Sequence, residues 1–150
     1  HSATRMYKAL VWGHPTALHG VIDAPIGRSR RDPLKMAVVA DGRNSRTEYE
    51  VVSRYVSPVD CALLECSLET GRTHQIRVHL SSIGHPLIGD PWYGQRRPTL
   101  GMERPFLHAA RLEFDHPNGE GRVAFSSELA ADLREMLSEL EPIDVESLGD

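Results

Sequence analysis

The sequence predicts an α+β fold: a mixed, mainly antiparallel β-sheet with few helices, built as one domain. Three observations carry this reading. Several short segments alternate apolar and polar residues with period two, between Gly- and Pro-containing turns. The period changes to helical spacing in only two places, after Gly71 and again near the C-terminus. The chain has 150 residues, 40% hydrophobic and 25% charged, enough for a buried core in one globular unit. There are no internal repeats and no low-complexity segment.

The elements follow in order. Met6 to Trp12 alternates, with Tyr7, Ala9 and Val11 on one face, and Gly13-His14-Pro15 ends the strand. Val21 to Ile26 reads as a short extended piece interrupted by Pro25. Gly27 to Pro33 is a basic loop, and Lys35 to Val39 is a short strand closed by an Asp41-Gly42 turn. Thr47 to Val56 alternates again, with Tyr49, Val51, Ser53 and Tyr55 on one side. Ala62, Leu64, Cys66 and Leu68 form the buried face of the next strand, with Glu65, Ser67 and Glu69 outward. Such alternation suits a sheet with one face wetter than the other. After Gly71, Ile76, Leu80 and Ile83 recur at helical spacing, with Thr73 as candidate N-cap and Gly84-His85-Pro86 as the stop. Phe106 to Phe114 alternates as a later strand, His116 to Gly119 turns, and Arg122 to Ser126 returns as its hairpin partner. Leu129, Leu133, Met136, Leu137 and Leu140 mark a C-terminal amphipathic helix.

Composition excludes some classes. No apolar run approaches the length of a membrane span. The first residues lack the basic-then-apolar pattern of a signal peptide. The chain starts at His1, and we expect it to be the C-terminal part of a longer protein. Cys61 and Cys66 lie five apart in one strand, so they face opposite ways and form no local disulfide; this suits a reducing, cytoplasmic setting. Net charge is −4 but unevenly spread. Residues 128–150 hold eight acidic groups against Arg134 alone, and residues 141–150 read as an acidic tail behind a domain of residues 1–140. Residues 1–127 carry 16 Lys/Arg and 13 Asp/Glu, with Arg28, Arg30, Arg31, Lys35, Arg43 and Arg46 close together. Two readings of that cluster stand: a phosphate-binding patch or a solvated loop.

The run Leu68-Glu69-Thr70-Gly71-Arg72-Thr73-His74-Gln75-Ile76-Arg77-Val78-His79-Leu80 concentrates hydrogen-bond donors at a turn that opens a helix. Backbone N–H groups at such a start favour anions. Arg77 stays charged at any working pH and needs an acidic partner if half-buried. That partner is either a ligand or a strand carboxylate, Glu65 or Glu69. Arg72 is either a phosphate contact or a surface residue. His74 and His79 are five apart, about 140° around a helix, which is not the i, i+4 pair of a zinc site. Tyr7 is either a core tyrosine or a base-stacking platform.

Taken with Gly84-His85-Pro86-Leu87-Ile88-Gly89-Asp90-Pro91-Trp92-Tyr93-Gly94, this run closely resembles the RluA family of RNA pseudouridine synthases. Arg5 to Pro15, Ile22 to Arg28, and Phe106 to Leu112 with His116-Pro117 resemble further family motifs in order, so the resemblance covers about residues 5–138. It implies isomerisation of uridine in structured RNA, with large-subunit ribosomal RNA as the expected partner and no cofactor or metal. It implies that Arg77 pairs with a nucleophilic aspartate, and that Tyr7 packs on the base as a candidate for removing the carbon 5 proton. On that resemblance Leu107 is expected to line the pocket, Arg72, His74 and Gln75 to hold the nucleotide, and Arg28, Arg30, Arg31 and Lys35 to grip the RNA backbone. A cation beside a carboxylate typically lowers its pKa by about 1–3 units, which keeps it nucleophilic. The chain departs from the family in one respect: the His-Arg-Leu-Asp string that carries the aspartate is absent. The chain alone is therefore expected to be inactive, as part of a longer enzyme, with a sheet edge left open. The alternative is a non-catalytic RNA-binding or assembly module that keeps the fold.

Overall fold

The computed structural model describes residues 3–69 and 71–143. A central sheet runs in the order β2-β5-β6-β1-β7-β8. Its strands are β1 (Thr4–Trp12), β2 (His19–Asp23), β5 (Arg46–Ser57), β6 (Cys61–Leu68), β7 (Leu107–Asp115) and β8 (Arg122–Ser126). A two-residue strand, β9 (Glu141–Pro142), continues the β2 edge of β5. The hairpin of β3 (Ile26–Arg28) and β4 (Met36–Val38) forms a separate two-stranded sheet. Every pairing among the described residues is antiparallel. The helices are α1 (Gln75–Ser82) and α2 (Ala131–Ser138).

One face of the sheet carries Ala9, Val11, Ile22, Tyr49, Ala62, Leu64, Cys66 and Leu68, packed against Ile76 and Leu80 of α1. An eight-residue helix is unstable alone, so α1 is held by this burial, roughly 1.5–3 kcal/mol for each large apolar side chain. The opposite face carries Leu10, Cys61 and Leu63 against Phe106 and, from α2 and beyond, Leu133, Met136 and Leu140. The expected wetter face is thus itself covered where α2 crosses it. The two cysteines fall on opposite faces, as their spacing required.

The single face expected for Thr47 to Val56 does not hold. The register against β6 slips between Val51 and Ser53, where Val52 bulges outward. One extra residue flips the side-chain alternation, so Tyr49 and Val51 join the α1 side while Tyr55 joins the α2 side. The basic loop expected from Gly27 is partly strand, because Ile26 to Arg28 pair with Met36 to Val38. The first three residues of the expected tail, 141–143, are bonded to the sheet. Glu141 and Pro142 pair with β5, and the Ile143 amide donates to Arg54 O at 2.9 Å. Asp144, Glu146 and Asp150 lie outside the described residues, as does Thr70 of the motif. β8 is an outer strand of the sheet, and its Phe125 is 60% exposed.

Candidate active site

The strand–turn–helix motif builds one wall of a cavity. Arg72 and Gln75 close the turn: Gln75 N donates to Arg72 O at 3.1 Å, and Gln75 Oε1 accepts from Arg72 N at 3.2 Å. The helix starts at Gln75, and its N-cap is His74 rather than the expected Thr73. His74 has φ 57°, a left-handed conformation that costs a non-glycine residue on the order of 1–3 kcal/mol. At the other end Gly84, with φ 85°, ends α1 as expected. Its N–H bonds to Ser81 O, and that of His85 bonds to Leu80 O, the 5→2 and 6→1 pattern of a Schellman cap.

Arg77 finds a carboxylate outside the two strand candidates. It is bound by neither Glu65 nor Glu69. Its Nε donates to Asp90 Oδ2 at 2.9 Å and its Nη2 to Asp90 Oδ1 at 2.8 Å, a bidentate pair. The Asp90 side chain is fully buried, and that of Arg77 is 17% exposed. Asp90 Oδ1 also accepts the N–H groups of Trp92 and Tyr93 at 2.9 and 3.0 Å, an aspartate bonding its own following turn. Burial pushes the Asp90 carboxyl up. The Arg77 and backbone hydrogen bonds outweigh that and hold it below the ordinary carboxylate value. Gly94 ends this turn, since a Cβ there would collide with the Asp90 carbonyl oxygen. The Arg77 guanidinium lies 5.0 Å from the Tyr93 ring centroid and 5.7 Å from that of Trp92. The pair is neutral as a unit, yet Nη1 and one Nη2 hydrogen of Arg77 are not used by Asp90.

Gln75 turns inward. It is 2% exposed, and its Nε2 donates to Arg46 O and to Thr47 Oγ1. Thr47 in turn bonds His79 Nδ1 at 2.8 Å, and His79 Nε2 meets Ala24 O at 2.9 Å. The Ala24 carbonyl can only accept, so Nε2 of His79 carries the proton and Thr47 donates to Nδ1. Burial lowers the pKa of His79 and keeps it neutral. Gln75 thus braces the turn from within while it also borders the cavity.

A cavity of about 430 Å³ is lined by Arg5, Tyr7, Leu68, Gly71, Arg72, His74, Gln75, Ile76, Arg77 and Leu107. Tyr7 reaches it from β1 and Leu107 from β7, where Ala9 pairs with Leu107. Arg72, His74 and Arg77 come from the motif. Arg72 spends Nε and Nη2 on Asn44 O, at 3.2 and 3.1 Å. Arg5 stands beside Gly71, and neither Arg5 nor Arg72 has a carboxylate partner among the described residues. With Arg77 neutralised, these two supply the positive charge of the cavity. The sequence reading missed Arg5 as a pocket cation; the signal was its place two residues before Tyr7 on the same strand face. A neighbouring depression of about 730 Å³ is lined by Asp23, Glu48 and Glu69 with Arg46 as its cation, a poor match for a phosphate-bearing ligand.

Arg28, Arg30, Arg31 and Lys35 do not line the cavity. They belong to the β3–β4 hairpin, which docks beside it: Lys35 Nζ donates to Trp92 O at 3.2 Å and Met36 N to Tyr93 OH at 3.0 Å. Arg28 bonds Pro33 O, and Arg30 pairs with Asp41 at 3.2 Å in the open. Among the described residues no group of three or more His, Cys, Asp and Glu is placed to hold a metal ion.

This arrangement has known counterparts. The family model for RNA pseudouridylate synthase matches residues 1–82. The chain belongs to that family. An uncharacterized RNA pseudouridine synthase of Chloroflexus aurantiacus is 51% identical over 137 residues, covering 91% of this chain and 42% of its own length. A ribosomal large subunit pseudouridine synthase D of Zymomonas mobilis is 46% identical over 144 residues, covering 89% and 44%. Among solved structures, human RNA pseudouridylate synthase domain containing 1 superposes with a TM-score of 0.78 at 25% identity, covering 99% of this chain and 64% of that one. The chain thus spans under half the length of these curated relatives. The RluA-type resemblance and the α+β fold read from the motifs agree with these matches.

Proposed function

We propose that residues 1–140 are the C-terminal portion of a catalytic domain that isomerises uridine to pseudouridine in structured RNA, with ribosomal large-subunit RNA as substrate. The observation that carries this reading is the single cavity shared by Tyr7, Arg72, His74, Arg77 and Leu107, drawn from three separate parts of the chain. In the reaction the N1–C1′ bond of uridine breaks, the base turns, and a C5–C1′ bond forms; C5 gives up a proton and N1 gains one. The Tyr7 ring offers a stacking surface worth roughly 1–3 kcal/mol per base, which offsets part of the cost of taking the base out of its stack. The nucleophilic aspartate comes from polypeptide outside these 150 residues, and the Nη1 edge of Arg77, which bonds no partner among the described residues, is the group that receives it. Arg5 and Arg72 meet phosphates, and the β3–β4 hairpin meets the RNA backbone. The two unpaired core thiols support a cytoplasmic setting.

The test maps pseudouridine in ribosomal RNA from cells with and without the gene, then in cells complemented with Tyr7→Phe or Arg77→Met. At least one site should vanish on deletion and return only with the wild-type gene. No lost site overturns the reading. Retention of RNA binding without any lost site would identify a binding module instead. The 150-residue chain alone should show no turnover.

A further inference from the structure

The His74 ring is held by a relay that begins in the basic hairpin. Met36 N donates to Tyr93 OH at 3.0 Å, and the same hydroxyl lies 2.9 Å from His74 Nδ1. The Met36 amide can only donate, so the phenol oxygen accepts there. The phenol has one proton and, among the described residues, one further partner, the imidazole nitrogen. Tyr93 therefore donates to Nδ1, and the neutral ring carries its proton on Nε2. Tyr93 is buried beside Ile26, Val78 and Met36, so the relay is shielded from competing water. Trp92 and Tyr93 meet the His74 ring edge-on at 5.6 Å and fix its plane. The charged groups facing it are Arg77 and Asp90. Burial first, and then the Arg77 charge, lower its pKa and favour the neutral ring. Nδ1 is consumed behind the wall, while His74 itself lines the cavity. The ring therefore offers the cavity a single uncharged N–H donor, a poor partner for phosphate and a good one for a neutral oxygen.

Resting on the reading of this cavity as a nucleotide site, we propose that His74 is a specificity-determining donor: its Nε2–H, fixed by the Met36–Tyr93–His74 relay, pairs with an uncharged oxygen of the target nucleoside, a base carbonyl or a ribose hydroxyl. Tyr93 is a positioning residue that acts through His74. A carbonyl satisfies this donor; the exocyclic amino group of cytosine in the same place does not. The hairpin that meets the RNA backbone also supplies the amide that orients the phenol, so the outer and inner parts of the site are joined by two hydrogen bonds.

The test needs no turnover, so its failure is separate from failure of the enzymatic reading. In histidine-labelled protein, long-range proton–nitrogen NMR at pH 7.5 should show His74 unprotonated at Nδ1 and protonated at Nε2, with Tyr93→Phe giving a mixture of tautomers. A short uridine-containing RNA oligonucleotide should then shift the Nε2–H resonance. A glutamine amide reaches where Nε2 stands, and an asparagine amide reaches only where Nδ1 stands. His74→Gln should keep the affinity for this RNA, whereas His74→Asn weakens it roughly three- to tenfold, the worth of one net hydrogen bond. Replacing uridine with 4-thiouridine closes the gap between the variants if O4 is the acceptor, 2-thiouridine closes it if O2 is, and 2′-deoxyuridine closes it if the ribose is. A proton on Nδ1, an imidazolium at pH 7.5, an unmoved Nε2–H on adding RNA, or equal affinities for the two variants overturns the proposal.

Discussion

Asp90→Ala strands the Arg77 guanidinium, and the structure sets the size of the effect. The side chain of Asp90 is fully buried and that of Arg77 is 17% exposed. Two guanidinium bonds and two backbone N–H bonds converge on one carboxylate. Removing one partner of a buried pair costs about 3–5 kcal/mol. Arg77 borders an open cavity from which water can reach its free edge, so the low end applies, about 3 kcal/mol. At about 2–4 °C per kcal/mol for a chain of this size, Tm falls by about 6–12 °C. Asp90→Asn keeps an amide oxygen for the Trp92 and Tyr93 N–H groups but loses the charge and the Oδ2 acceptor that Arg77 Nε uses, so a smaller fall, roughly half, follows. Thermal denaturation of the 150-residue chain, read by circular dichroism, gives both falls in Tm, and urea denaturation gives the free energies. Adding Arg77→Met to Asp90→Ala removes the stranded cation and should restore part of the stability. If Asp90→Ala unfolds within about 0.5 kcal/mol of wild type, or if the double variant is no better than the single one, the penalty does not come from an orphaned charge and this account of the turn is wrong.

Three other outcomes follow from the same network. Thr47→Val removes the hydroxyl that links Gln75 to His79 and leaves both buried groups short of a partner; it should cost about 1–3 kcal/mol in the same denaturation assay, and a neutral result would show that the chain of bonds is idle. His74 and His79 have folded pKa values below the ordinary 6.5, so the unfolded chain binds more protons. Their stabilisation is complete above pH 6.5 and is lost as pH falls toward the folded values, by roughly 1.4 kcal/mol per pH unit for buried His79. Denaturation midpoints at pH 7.5, 6.5 and 5.5 check this, and a chain that grows more stable on acidification contradicts it. Burial pushes the Cys61 thiol up to about 11 and the Cys66 thiol up to about 12, so neither is a thiolate at pH 8. A thiol-specific disulfide reagent should find no reactive cysteine in the folded protein and two in denaturant.

Local alternation made the strands legible, and its failures are where a single extra residue intervenes. Val52 is a good strand residue and nothing in its neighbourhood announces a bulge, yet that bulge sends Tyr49 and Tyr55 to opposite sides of the sheet. β9 was illegible for another reason. Two residues carry no periodicity, and their pairing with Tyr55 and Ser57 exists only because α2 has brought them there. The site was legible as a set of residue types and less so as a set of partners. Tyr7, Arg77 and Leu107 reach one cavity because each lies on an element whose facing the sequence defines. Asp90, between Gly89 and Pro91, reads in the sequence as a turn residue. It is one, and it is also the counter-ion of Arg77, 13 residues earlier.

That double duty changes what the polar density of the motif means. Of its donors, Gln75 and His79 are spent inside, Arg72 is half spent on Asn44, and Arg77 is spent on Asp90 along one edge. A helix that starts from a left-handed residue, with no side-chain cap, needs this bracing. What remains for a ligand is small and directional: the Nη1 edge of Arg77, the outer edge of His74, the Tyr7 ring, and the charges of Arg5 and Arg72. Because Asp90 cancels the charge of Arg77, a carboxylate arriving at Nη1 meets a donor pair rather than a bare cation. Arg5 and Arg72, outside the ion pair, are therefore the cavity's uncancelled charges, and Arg5, which the motif does not contain, belongs with Arg72 in any account of how the cavity attracts an anion.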